Sequence, residues 1–117
     1  MADATTTVAV LKDAVHRFAA ERAWEPFHTP KNLAMGTAIE AAELMEHFLW
    51  VDGPASVQMA KDPKKREGII DEVADIAVYV LNLANVLGVD LGDAILAKIA
   101  KNALKYPVKK YKGRFER

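Results

Sequence analysis

Two short segments of the chain carry the same arrangement of acidic side chains. Glu40 and Glu43 stand three residues apart, and Glu72 and Asp75 repeat that spacing further along the chain, each pair enclosing small or apolar residues. On a helix, residues at positions i and i+3 lie on one face. If the two helices pack side by side, four carboxylates will surround one small volume.

These acidic pairs lack neighbouring cations. No Lys or Arg occurs in residues 32–60 or 67–97, whereas eight basic residues fall in 98–117. Because carboxylates in contact repel each other or raise each other's pKa, we expect a cation between them. Four hard oxygen donors suit Mg²⁺, with Mn²⁺ as a substitute. A single such pair is usually a solvated helix face, but two matching pairs without counter-charges favour a metal site.

The composition narrows the class of protein. Of the 117 residues, 51% are hydrophobic and 27% are charged, and the formal net charge is zero, as in one globular domain. The absence of cysteine excludes a disulfide framework and a thiolate-held zinc site. The N-terminus has no secretory pattern, and the longest uncharged run, residues 76–89, is too short to span a bilayer. We therefore expect a cytoplasmic protein without a membrane partner.

Apolar spacing predicts an all-α protein with helices at about 7–22, 30–50, 67–87 and 90–106. These form a four-helix bundle in a domain of residues 1–107, followed by a loosely ordered basic tail, 108–117. Residues 53–66, with two prolines and a charged run, are predicted to be a solvated loop. The third helix is apolar on more than one face, so we expect a homo-oligomer that completes the bundle.

Four segments of the sequence match a known family. They are FAAERAWEPFHTPKNLAMG, EAAELMEHFLW, DEVADIAVYVLNLA and KIAKNALKYP, within residues 11–107. On these segments the chain resembles the MazG-like all-α nucleoside triphosphate pyrophosphohydrolases, and within them the short dCTP pyrophosphatase branch. The resemblance implies hydrolysis of a (deoxy)nucleoside triphosphate between the α and β phosphates, releasing pyrophosphate. It also implies Mg²⁺ ligands at the four acids and a site shared between subunits of a homodimer or homotetramer.

Further residues are candidate substrate contacts under this resemblance. Aromatic rings can stack on a base, a histidine can hydrogen-bond a base edge, and a tyrosine beside the acids can pack against the sugar. Lysine and asparagine side chains at the start of the second helix, and a second such pair one turn apart on the fourth helix, would contact phosphate or sugar. Packing, capping and solvated faces are the competing interpretations of these positions. The candidates are Trp24, His28, Lys31, Asn32, Trp50, Tyr79, Lys98 and Asn102.

Two other classes of function compete with the enzyme. The basic C-terminal segment KKYKGRFER could bind nucleic acid through phosphates and stacking. That hypothesis is disfavoured, because the clustered acids would then have no role and, in the absence of metal, would repel a polyanion. A plain oligomerisation domain is the second alternative, and it predicts no metal requirement.

Overall fold

The computed structural model describes residues 2–114, and these form helices and turns without a strand, which confirms the all-α prediction. The four long helices expected from the sequence are present, together with two short ones. The last three residues of the predicted basic tail, 115–117, lie outside the described residues. The elements are α1 Val8–Glu21, a 3-10 helix Glu25–Phe27, α2 Pro30–Glu46, α3 Gly53–Met59, α4 Pro63–Leu87, α5 Leu91–Lys105 and α6 Val108–Tyr111.

The prediction of a solvated loop at residues 53–66 is wrong, because α3 and the first turn of α4 lie in this segment. Asp52 Oδ1 accepts a hydrogen bond from the backbone N–H of Ala55 at 2.8 Å, and Asp62 Oδ1 accepts one from Lys64 at 3.0 Å. A proline follows each cap within the first turn, where a missing N–H costs nothing. The residues that resemble chain breaks are therefore helix starts.

Helix α4 is the centre of the packing, with α2 and α1 lying against it. Leu33 of α2 is 1% exposed, and Ala19, Leu81 and Ala84 are also buried. Asn85 Nδ2 donates to the backbone carbonyl of Lys12 at 2.9 Å, which ties α4 to α1. The three helices α1, α2 and α4 thus form one packed layer.

Helix α5 departs from this layer. It makes an angle of 103° with α4 after the left-handed Gly88, whose φ is 67°, and none of its residues is buried. Within the described residues no single helix is long and apolar enough to cross a membrane; α4 and α5 reach that length and apolarity only together, across the bend.

The start of the predicted basic tail is ordered. Residues Val108–Tyr111 form α6, and the Tyr111 ring packs edge-on against Tyr106 with 5.2 Å between ring centroids. The domain boundary at residue 107 stays a prediction.

Candidate metal centre and adjoining pocket

Helices α2 and α4 bring the two acidic segments together. One carboxylate oxygen from each of Glu40, Glu43 and Glu72 lies within 4.8 Å of the others. Asp75, one turn along α4 from Glu72, borders the same pocket as Glu40. The i, i+3 spacing therefore brings Glu40, Glu43 and Glu72 into one cluster at the α2–α4 interface, whereas Asp75 lies beside the cluster, outside the 4.8 Å group.

The surroundings of Glu40 raise its pKa from 4.5 to about 7. Desolvation by burial is the largest cause, followed by hydrogen bonds with Glu72 and Glu43, and then by the negative charges of Glu43 and Asp75. A hydrogen bond between two carboxyl groups needs a proton on one of them. Without a cation, Glu40 therefore keeps its proton to a higher pH than an isolated glutamic acid does.

Two carboxylate oxygens of the cluster are buried without a hydrogen-bond partner, Glu40 Oε2 and Glu72 Oε2. Within residues 2–114 no Lys or Arg forms an ion pair with the four acids; His47 Nε2 lies 3.9 Å from Glu72 Oε1, which is too long for a hydrogen bond. Buried, unpaired carboxylate oxygens are costly, and a hard divalent cation satisfies them. The donor set present here therefore fits Mg²⁺ or Mn²⁺.

A cavity of about 230 Å³ opens on one side of the cluster, bordered by Glu40 and Asp75. Its wall is aromatic: Phe18 and Trp24 meet edge to face at 5.8 Å, and Trp24 meets His28 in the same way at 6.3 Å. These edge-to-face rings together present an apolar surface that a flat ligand could contact. Phe18 projects from α1, whereas the turn and 3-10 helix between α1 and α2 place Trp24 and His28 beside it.

Tyr79 forms another part of this wall, and Gly36 makes its position possible. A Cβ atom built on Gly36 would lie 2.3 Å from the Tyr79 ring, well inside van der Waals contact. Because Gly36 is buried on α2, the tyrosine ring packs directly against the helix backbone. This close approach holds Tyr79 beside the acids.

A second, more open cavity of about 420 Å³ is bordered by Glu43, Glu46, His47 and Glu72. The acidic cluster therefore borders both an aromatic cavity and an open acidic one. A ligand with one flat apolar end and one charged end would match this pair of cavities.

The structure brings only some of the predicted substrate-binding residues together beside the acids. Trp24, His28 and Tyr79 line the aromatic cavity with two of the acids. Asn32 instead donates its side-chain amide to the backbone carbonyl of Phe27 at 2.9 Å, which holds the turn before α2. The other predicted contacts border neither cavity of their own chain, and Trp50, at φ 69°, is 98% exposed. These are Lys31, Trp50, Lys98 and Asn102.

Sequence reasoning missed Phe18, Val15 and Asn82, which also line the aromatic cavity. Asn82 was within reach, because it continues the helical stripe of Glu72, Asp75 and Tyr79 by one more turn. Phe18 and Val15 lie on α1, and nothing in their local pattern shows that α1 packs against this part of α4.

The chain is similar to known proteins along most of its length. The MazG-like family matches residues 35–116. The chain is 38% identical over 96 residues to dCTP pyrophosphatase 1 of Mus musculus, covering 82% of this chain and 56% of that protein. It is 41% identical over 91 residues to dCTP pyrophosphatase 1 of Homo sapiens, covering 77% of this chain and 53% of that protein. The chain therefore spans about half the length of these curated relatives.

A solved structure supports the same assignment. The crystal structure of a pyrophosphatase from Archaeoglobus fulgidus superposes with a TM-score of 0.75 and 35% sequence identity, covering 81% of this chain and 87% of that one. The family match covers more than half of the chain and includes both acidic segments. On this evidence the chain belongs to the MazG-like family.

Proposed function

We propose that this protein is a Mg²⁺-dependent nucleotide pyrophosphohydrolase. Its substrate would be a nucleoside triphosphate, dCTP or a related deoxynucleotide, and its products the monophosphate and pyrophosphate. The observation that carries the proposal is the cluster of Glu40, Glu43 and Glu72, with two orphaned oxygens, beside an aromatic cavity. The names of the curated relatives support dCTP as the first substrate to test.

In this proposal Glu40, Glu43, Glu72 and Asp75 hold the cation. When bound, Mg²⁺ neutralises charge on the phosphate oxygens and lowers the pKa of an attacking water. The carboxylates position that charge at the junction of the two cavities. Glu40 or Glu43, whichever is less engaged in coordination, is suited to accept the proton of the water that attacks the α-phosphorus.

The aromatic cavity would bind the nucleoside. Phe18 and Trp24 offer ring faces and edges to the base, and Tyr79 lies one turn beyond Asp75, where the sugar would lie. A tyrosine packed against the sugar leaves little room for a 2′-hydroxyl, which favours a deoxynucleotide. The polar cavity beside Glu43 and Glu72 would receive the remaining phosphates.

We also propose that the working form is a homodimer or homotetramer. The radius of gyration is 17.1 Å, whereas a compact domain of this length has about 13 Å. The accessible surface is 9300 Å², against about 6,300 Å² for a monomer of this mass. On α5, Leu96, Ile99 and Leu104 are each more than half exposed. A second copy covering α5 would remove this apolar surface from water.

A partner copy would also account for the predicted substrate contacts that border neither cavity of their own chain. Lys98 and Asn102 lie on α5, and Trp50 is on the exposed turn after α2. We propose that they reach the nucleotide bound to a neighbouring subunit, with the lysine beside its phosphates. Lys31 is proposed as a phosphate contact from the start of α2. A cytoplasmic location, where free nucleotides are found, is part of the same proposal.

The direct test is hydrolysis of each nucleoside and deoxynucleoside triphosphate, with and without Mg²⁺, in water enriched in ¹⁸O. We expect Mg²⁺-dependent release of pyrophosphate, with the label in the monophosphate, because water attacks the α-phosphorus. The variants Glu72→Gln and Asp75→Asn should lose about a thousandfold in rate, since each removes a proposed ligand.

The matched control is Asp71→Asn, which removes an exposed acid from the same helix and should hydrolyse normally. Release of inorganic phosphate instead of pyrophosphate, or normal turnover in both ligand variants, would refute the proposal.

A further inference from the structure

The far end of the aromatic cavity is polar, and the reaction proposed above does not use it. Asn82 is 9% exposed, and its Nδ2 atom lies 2.9 Å from Nδ1 of His28. Both residues line the same cavity as Glu40 and Asp75. The cavity therefore begins at carboxylates and ends at an amide–imidazole pair.

The spacing of residues along α4 determines which part of a bound nucleotide would contact Asn82 and His28. Asn82 lies seven residues beyond Asp75, a helix rise of about 10 Å, and Tyr79 lies between them. If the phosphates are held at the acids, the sugar comes beside Tyr79 and the base extends to Asn82. The base edge, rather than the sugar, would then contact the Asn82 amide.

The hydrogen bond to His28 determines which way this amide faces. With Nδ2 of Asn82 as the donor, Nδ1 of His28 accepts, and the ring proton resides on Nε2. Within residues 2–114 this is the only side-chain hydrogen bond that Asn82 makes, so Oδ1 and the second N–H of Nδ2 are left for a ligand. A buried amide with unused groups at a cavity is suited to read a polar ligand edge.

We propose that Asn82, oriented by His28, selects the base through its Watson–Crick edge. Oδ1 accepts from an exocyclic amine, and Nδ2 donates to the adjacent unprotonated ring nitrogen. Cytosine offers this pair through N4 and N3, whereas uracil presents a carbonyl and a ring N–H, which face the fixed amide with the wrong polarity. The inference rests on the proposed nucleotide function and names the residues that would make cytosine the preferred base.

Adenine carries the same amine and ring nitrogen, but the cavity, at about 230 Å³, is small for a ligand pocket. The proposal therefore commits to a pyrimidine. Within it, Asn82 contacts the base, and His28 is a positioning residue that acts through Asn82.

The test is equilibrium binding of dCMP, dUMP and dAMP to the full chain by calorimetry. We expect dCMP to bind about ten- to a hundredfold more tightly than dUMP, the range for a good bidentate base contact. Asn82→Leu should reduce this preference to less than about threefold, through weaker dCMP binding. The matched control is Asn85→Leu, one turn further along α4. The Asn85 amide donates to the Lys12 carbonyl, so its loss should leave the preference for dCMP unchanged.

The positioning role of His28 has its own signature. His28→Phe keeps a ring but removes the acceptor, so the Asn82 amide is free to rotate and can match uracil. The dCMP preference should then fall through tighter dUMP binding, unlike in Asn82→Leu, with helical content by circular dichroism unchanged in both variants.

The outcomes separate this inference from the proposed function. Preference for dCMP that depends on Asn82, in a protein without pyrophosphohydrolase activity, would support the inference and refute the function. Hydrolysis combined with equal dCMP and dUMP binding, or with a preference unchanged in Asn82→Leu, would overturn the inference alone. Tighter binding of dAMP than of dCMP, or no binding of any monophosphate, would also overturn it.

Discussion

The α2–α4 pair and helix α5 differ in which groups they bury and which they expose. The first pair buries Leu33 and Leu81, and it also buries two carboxylate oxygens, Glu40 Oε2 and Glu72 Oε2, that have no hydrogen-bond partner among the described residues. Helix α5 buries none of its residues, although Leu96 and Ile99 form part of an apolar face. Within residues 2–114, one region concentrates carboxylates that no Lys or Arg pairs with, whereas the other exposes apolar side chains. The proposed cation would neutralise the first region, and the proposed second subunit would cover the second.

The largest effect should come from charging the apolar face of α5. The double variant Leu96→Glu and Ile99→Glu removes about 1.5–3 kcal/mol of apolar burial at each position and places two charges in the proposed subunit interface. We expect the mass measured by light scattering at micromolar concentration to fall to that of one chain.

The control for this variant is Lys101→Glu, an exposed position on the same helix, which should leave the mass of the assembly unchanged. If the wild-type protein is already a monomer, or if the double variant assembles normally, α5 does not form the interface and the contrast between the two regions fails.

A smaller effect is expected from adding a side chain at Gly36, where the backbone of α2 packs against the Tyr79 ring. Gly36→Ala forces the Tyr79 ring to move, because the added Cβ would lie 2.3 Å from it. We expect a loss of about 1–3 kcal/mol in the free energy of unfolding, measured with urea, as in other overpacked cores.

The comparison variant is Gly92→Ala in α5, where the added Cβ would come no closer than 3.5 Å, to Asp90. That change should be neutral or stabilising, since alanine favours a helix. Equal destabilisation by both substitutions would show that the α2–α4 interface is no tighter than α5.

The smallest effect concerns pH. Because the folded protein holds the pKa of Glu40 near 7 and its ordinary value is 4.5, the metal-free folded state binds more protons than the unfolded state between these values. Its free energy of unfolding should therefore decline as pH rises from about 4.5 to 7. Thermal unfolding in EDTA across this range measures the decline.

Two controls sharpen the pH prediction. In Glu40→Gln the decline should be smaller, because the titrating group is absent. Saturating Mg²⁺ should oppose it, because the cation stabilises the ionised carboxylates. A metal-free stability that rises with pH over this range would contradict the assigned environment of Glu40.

The sequence predicted that the two acidic segments would converge, on the condition that their helices pack side by side, and the structure shows that α2 and α4 do so. Glu40 and Glu72 occupy equivalent positions in repeated i, i+3 motifs, and the surrounding small and apolar residues allow their helices to pack closely. Helix starts were harder to predict. Asp52 and Asp62, each followed closely by proline, mark both chain breaks and N-caps, and only the structure shows that they begin helices.

The remaining parts of the site depend on contacts that are distant in sequence. His28 and Asn82 are 54 residues apart, and no local pattern joins them. Phe18 reaches the cavity because α1 packs on α4, a contact that helical periodicity alone does not specify. Periodicity identifies which face of a helix is buried, but not which other helix covers it.

The central claim is that the acids of α2 and α4 converge to bind a divalent cation. A titration with Mn²⁺ followed by electron paramagnetic resonance tests it without substrate or turnover. The account predicts saturable binding that is lost in Glu72→Gln and retained in Asp71→Asn. Binding of equal strength in both variants, or no saturable binding to the wild-type protein, would contradict it.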